Sequence, residues 1–231
     1  MAEDPLSNQS NLWLADTLWR LGAVQFGDFT LGRTTVHSPV YVNLRLLVAH
    51  PTALARAAHI LLQEIQTLQS MRHPQIDPFN VVCGVPFGGL MIGQAFSLTS
   101  KVPLIYLHPH KDDLESDVEG LYHPSQTALI MDDLITGGGS IILTANRLRD
   151  EGLFIEDAVV LFDRESGGGE RLAEFGIRLV SILTIEVLLN YLMSNGKIGE
   201  EWYRKSMAFL ENSRPIDSRS RRIGLRPGRG S

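Results

Sequence analysis

The sequence predicts an α/β fold: a central parallel sheet flanked by helices, preceded by a small N-terminal hood subdomain. Two patterns carry this. From residue 51 onward, helical stretches alternate with short apolar runs that are hydrophobic throughout, as expected for strands buried on both faces and joined by crossover helices. Before residue 51 the pattern is a short helix followed by two alternating strand-like pieces, which suits a separate small unit better than the main sheet.

The elements follow in order. Leu14, Leu18 and Leu21 recur at helical spacing and predict an amphipathic helix over 11–22, entered from the polar stretch Ser7 to Ser10. Short strands are predicted over Phe26–Leu31 and Val40–Leu44, separated by a turn-rich polar piece from Arg33 to Ser38. The alternation then predicts a helix over Pro51–Gln69, a strand over Phe79–Val85, a helix over Leu90–Thr99 and strands over Val102–Tyr106 and Thr127–Met131. A helix over Ser140–Glu151 comes next, then strands over Ile155–Phe162 and Ile177–Thr184 and helical sequence to about Glu211. This divides the chain into an N-terminal helix and hood segment (1–50), a core (51–212) and a basic tail (213–231) expected to be disordered.

The 231 residues, 44% hydrophobic and 20% charged, suffice for one large α/β domain with an ordinary packed core. Six arginines against Asp217 give residues 214–231 a charge of +5, leaving −10 for residues 1–213. An acidic body lacks the footprint of a specific nucleic-acid binder, so no specific nucleic-acid partner is expected. The single cysteine, Cys83, excludes an internal disulfide and a multi-thiolate metal site, and its apolar neighbours make it a small buried hydrophobe. With neither a basic-then-apolar leader at the start nor about 18 consecutive apolar residues anywhere, the expectation is a cytoplasmic chain with no membrane partner.

Ligands of parallel sheets gather at the carboxyl ends of the strands. After the predicted strand Thr127–Met131 comes Asp132-Asp133-Leu134-Ile135-Thr136-Gly137-Gly138-Gly139-Ser140, followed by a helix. The glycines permit positive φ and let backbone N–H groups converge on an anion, and the helix start adds partial positive charge. Thr136 and Ser140 supply hydroxyl donors, and no lysine stands where a Walker A loop carries one. Two adjacent carboxylates are costly to hold together unless hydrogen-bond donors or a cation lie between them. Ribose hydroxyls or a hydrated Mg²⁺ would serve.

In this run of residues the chain resembles the type I phosphoribosyltransferases. Phe26-Gly27-Asp28-Phe29, Ser38-Pro39-Val40-Tyr41-Val42-Asn43-Leu44-Arg45, Val82-Cys83-Gly84-Val85-Pro86-Phe87 and Leu161-Phe162-Asp163-Arg164-Glu165 extend the resemblance, in order over roughly residues 11–212, to the orotate phosphoribosyltransferases. The resemblance implies the type I phosphoribosyltransferase fold and transfer of the phosphoribosyl group of 5-phosphoribosyl-1-pyrophosphate (PRPP) to orotate, with Mg²⁺ as cofactor and a homodimer as the working form. It implies that Thr136, Gly137, Gly138, Gly139 and Ser140 hold the 5′-phosphate, that Asp132 and Asp133 lie by the ribose hydroxyls, and that Phe87 and Gly88 belong to the pyrophosphate loop. Tyr41 and Val42 would cover the orotate ring, Thr136 would also border it, and Arg164 would pair with its carboxylate. No residue is assigned as a resident metal ligand.

The chain departs from the family in its mobile loop. Along Leu107-His108-Pro109-His110-Lys111-Asp112, Lys111 aligns with the family's central lysine and becomes the catalytic cation, but the preceding Arg and Lys have no counterpart. Near Gly32-Arg33, where the family usually has Lys-Ser-Gly, this chain has one residue more and no lysine. Two alternatives therefore stay open: a non-catalytic nucleotide- or PRPP-sensing relative, and a phosphoribosyltransferase for another base. His108 and His110 with Asp112 and Asp113 also carry a weaker metal-hydrolase reading.

Overall fold

The computed structural model describes residues 10–31, 35–108 and 117–213. Helix α1 (Ser10–Arg20) is followed by β1 (Val24–Leu31) and β2 (Thr35–Val42), an antiparallel pair outside the main sheet. A 3-10 helix (Leu44–Ala49) leads into α2 (Pro51–Ser70), which has proline in its first turn, where a missing N–H is harmless. Then come β3 (Val81–Gly84), α3 (Gly88–Ser100), β4 (Leu104–Leu107), β5 (Val118–Glu119), β6 (Ala128–Ile135) and α4 (Gly139–Asp150). The chain continues through β7 (Asp157–Asp163), α5 (Gly168–Glu174), β8 (Arg178–Thr184), α6 (Ile185–Ser194) and α7 (Glu200–Ser213).

The main sheet runs β5-β4-β3-β6-β7-β8, parallel except for the pairing of β5 with β4. Alternate residues of its central strands enter two different cores. Leu129 and Met131 of β6 and Val159 and Leu161 of β7 face Trp13, Leu14, Leu18, Ile65, Phe96 and Leu188, whereas Ala128, Ile130, Ala158 and Val160 face Ile141, Ile142, Leu148 and Leu172. One face is thus covered by α1, α2, α3 and α6, the other by α4 and α5. Double burial explains the unbroken apolar runs in the sequence. Cys83 lies fully inside, and burial pushes its thiol up to about 12, so it stays protonated and inert at neutral pH.

Several boundaries differ from expectation. The predicted strand Thr127–Met131 continues through Asp132 and Asp133 to Ile135, because β7 pairs with it as far as Ile135 opposite Asp163. The other neighbour, β3, stops at Gly84 opposite Met131, so the acidic pair sits where β6 has a partner on one side only. Thr35 to Ser38, read as part of a turn, belong to β2 because β1 pairs with them, Leu31 opposite Thr35 and Phe29 opposite Ser38. That strand ends at Val42, and Leu44 already starts the 3-10 helix. The C-terminal helical sequence is two helices, broken around Gly196, whose φ is +63°. Helix α5 and the two-residue β5 were too short to announce themselves by periodicity. Among the described residues no helix is long and apolar enough to cross a membrane. The tail from residue 214 lies outside the described residues.

Candidate active site

The carboxyl ends of β3, β6 and β7 and the end of β2 converge on a cavity of about 490 Å³. Its walls are Tyr41, Val42, Asn43, Leu44 and Arg45 from β2 and its exit, Pro86, Phe87 and Gly88 after β3, Asp132, Asp133, Leu134, Thr136 and Ser140 from β6 onward, and Arg164 after β7. Adjacent parallel strands end on one edge of the sheet, so residues distant in sequence meet there for topological reasons.

On one wall stand the two carboxylates. Asp132 is 8% exposed; burial above all, and then the charge of Asp133, hold its carboxyl well above the usual carboxylate range. The N–H of Asp133 donates to it at 2.8 Å, and a further N–H, that of Gly89, offsets part of the shift. The turn after β3 approaches this wall so closely that a Cβ on Gly88 would overlap the Asp133 carboxylate, and one on Gly89 would overlap the carbonyl oxygen of Met131. Glycine is required at 89 by contact with backbone, not by dihedral angle, whereas at 88 it gives room to the movable Asp133 carboxylate.

Beside the acidic pair lies a recess of about 50 Å³ lined by Thr136, Gly138, Gly139, Ser140 and Ile141. Only Gly138 of the three glycines uses a left-handed conformation, with φ of +71°, and it caps α4, so the first N–H groups of that helix open toward the recess. At Gly137 and Gly139 the nearest atom that a Cβ would meet is Nη1 of Arg171 at 4.0 Å. At Gly139, which lines the recess, the missing side chain leaves room for an incoming oxyanion instead of relieving strain.

Across the cavity is Arg164, only 4% exposed. Its backbone N–H donates to the Ile135 carbonyl at 3.1 Å, and its Nη2 donates to Ser38 Oγ at 3.1 Å. The buried Nε has no partner, and among the described residues no carboxylate pairs with the guanidinium. Burial lowers its pKa from the usual arginine value. A buried cation without a counter-ion is expensive, and an anionic ligand entering the cavity would relieve it. Over the same cavity, the ring of Tyr41 is steadied by Phe29, 5.6 Å away between centroids.

No family model matches the chain. The orotate phosphoribosyltransferase of Chlamydia caviae is 36% identical over 190 residues, spanning 79% of this chain and 86% of that protein. The chain belongs to the orotate phosphoribosyltransferase family. The uridine 5′-monophosphate synthase of Bos taurus is 34% identical over 202 residues, 87% of this chain, which spans 40% of that relative's length. Among solved structures, the orotate phosphoribosyltransferase of Aeropyrum pernix superposes with a TM-score of 0.65 at 34% identity, covering 78% of this chain and 99% of that one. The α/β architecture expected from the sequence is thus that of the orotate phosphoribosyltransferases.

Of the residues singled out in the sequence, Tyr41, Val42, Phe87, Gly88, Asp132, Asp133, Thr136, Ser140 and Arg164 meet in the main cavity, and Gly138 and Gly139 line the adjoining recess. Gly137 lines neither; its carbonyl accepts a hydrogen bond from Arg171 at 3.1 Å. Lys111 and His110 lie outside the described residues. Among those described, no three His, Cys, Asp or Glu side chains gather as a metal site. Sequence reasoning missed Asn43 and Arg45, although both stand in the run that contains Tyr41 and Val42. It also missed Arg171 and Gly168, whose Cβ would overlap the Thr136 carbonyl oxygen; the three glycines at 167–169 were the available signal.

Proposed function

We propose that the chain transfers the phosphoribosyl group of PRPP to N1 of orotate, giving orotidine 5′-monophosphate and pyrophosphate. The observation that carries this reading is Arg164, a buried guanidinium without a carboxylate partner among the described residues, facing a cavity whose other wall is an acidic pair beside an anion-sized recess. A planar base bearing a carboxylate supplies the missing counter-ion.

In this reading Thr136, Ser140 and the backbone N–H groups at the start of α4 hold the 5′-phosphate, while Asp132 and Asp133 accept hydrogen bonds from the ribose hydroxyls. Tyr41 and Val42 cover the pyrimidine ring, with Thr136 at its border, and Phe87 and Gly88 flank the pyrophosphate. The C1′–oxygen bond breaks with its electron pair leaving on pyrophosphate, the C1′–N1 bond forms, and the N1 proton of orotate is released. Positioning and the negative charge of the acidic pair stabilise the oxocarbenium-like transition state. Lys111 supplies a cation to the leaving pyrophosphate.

The donor set fits Mg²⁺: two adjacent carboxylates, with Asp132 raised in pKa by burial first and by the charge of Asp133 second, match an ion that takes one or two protein carboxylates and completes its shell with substrate oxygens and water. Asp132 and Asp133 would hold it, and its charge would partly neutralise pyrophosphate. We further propose a homodimeric working form and a cytoplasmic setting, which the single buried thiol of Cys83 suits. The test is orotate consumption by the purified protein. Consumption and pyrophosphate release are expected only with PRPP and Mg²⁺ present, and PRPP binding without consumption would overturn the assignment.

A further inference from the structure

We propose that Ser38 is a positioning residue that aims the Arg164 fork and so sets the preference for a carboxylate-bearing pyrimidine; this rests on the orotate reading above. Ser38 is fully buried and stands 126 positions before Arg164 in the chain, on the hairpin instead of the main sheet. It provides the only hydrogen bond that the guanidinium makes among the described residues, accepting from Nη2 at 3.1 Å. The direction of that bond is fixed. The Ser38 hydroxyl donates its own proton to the Val40 carbonyl at 2.7 Å, which leaves its oxygen lone pairs for the arginine.

The backbone around Ser38 is shaped for this. Ser38 lies opposite Phe29 between two irregularities in the pairing of β1 with β2. The preceding residue, His37, has a φ of +58°, a conformation uncommon for a residue with a side chain, and its Nδ1 lies 3.0 Å from both carboxylate oxygens of Asp28. Strain held in place beside a site is a reason to look for what it presents. Here it turns a buried hydroxyl inward onto the one buried guanidinium of the cavity. Other ties hold the Arg164 backbone: its N–H donates to the Ile135 carbonyl at 3.1 Å, and its carbonyl accepts from Ser166 Oγ at 3.3 Å. Neither fixes the fork. With Ser38 in place, Nη2 is tied to the hairpin, which fixes the plane in which the fork meets the cavity.

The experiment is steady-state kinetics of Ser38→Ala with orotate, PRPP and uracil. Loss of a hydrogen bond to a charged group predicts KM for orotate rising roughly tenfold, the preference for orotate over uracil falling by a similar factor, and KM for PRPP staying within about twofold. Unchanged KM for orotate in the folded variant would overturn the proposal; so would equal rises in both substrate KM values, which mark a general structural role. Ser38→Cys nearly preserves the volume with a poorer acceptor and should show the same split at smaller size; it decides the matter by the same criteria if Ser38→Ala does not fold. Failure of the wild type to consume orotate would sink the underlying reading, an outcome visible before any variant is made.

Discussion

At the scale of single residues, Asp132 shows how the site works against the stability of the fold. Burial and the neighbouring Asp133 make its carboxyl hold a proton more tightly in the folded chain than in the unfolded one. Below about pH 3.9 both states are protonated and nothing is gained or lost. As pH rises past that value the unfolded chain releases its proton first, so stability falls until the folded carboxyl also ionises. Asp132→Asn, which keeps an acceptor for the Asp133 and Gly89 N–H groups, is therefore expected to raise the melting temperature at neutral pH by roughly 2–4 °C while slowing transfer. The gain should vanish below about pH 3.9, and thermal unfolding across pH checks it; no gain at neutral pH would contradict the account. The acidic pair is legible in sequence because it stands next to its glycine loop. Arg164 is much less so, since Asp163-Arg164-Glu165 by itself reads as a surface ion pair, and only tertiary burial reveals a guanidinium without a carboxylate.

At the scale of elements, the turn from β3 into α3 illustrates what periodicity cannot convey. The glycines at 88 and 89 look like ordinary turn residues, yet each marks an approach of that turn to β6. Because the obstruction at Gly89 is backbone, Gly89→Ala should destabilise the protein by about 1–3 kcal/mol in denaturant unfolding. At Gly88 the obstruction is the movable Asp133 carboxylate, so Gly88→Ala should cost less stability and more activity. The reverse ranking would show that the turn does not position Asp133. Strand β6 makes a related point. The apolar run is interrupted at Asp132-Asp133, but pairing with β7 carries the strand through them to the buried Ile135. Elements of the doubly buried sheet are legible because their apolar runs have no other use. Helix α5 is not, because its seven residues span only about two turns and three glycines obscure its start.

At the scale of the whole molecule, the N-terminal elements do not stand apart from the sheet: Trp13, Leu14, Leu18, Val40 and Val42 share one core with Met131, Leu161 and Leu188. That shared core lets a hairpin residue reach a guanidinium on β7's exit, a juxtaposition no local pattern predicts. The proposed homodimer, with the loop bearing Lys111 crossing to complete the neighbour's site as the family resemblance implies, makes a definite prediction. Lys111→Ala and Asp133→Ala subunits, each inactive alone, should recover about a quarter of wild-type activity when mixed and reassorted, because half the dimers are hybrids with one intact site. Recovery of none would mean that each subunit uses its own loop.

The central claim is that Arg164 receives the carboxylate of the accepting base. The most direct test compares kcat/KM for orotate in the wild type and Arg164→Ala, with PRPP binding measured alongside. The account predicts a loss of about a hundredfold or more for orotate with PRPP affinity kept within a few-fold, as expected for removing one partner of a buried charge pair. Equal orotate efficiency in the two proteins would contradict it.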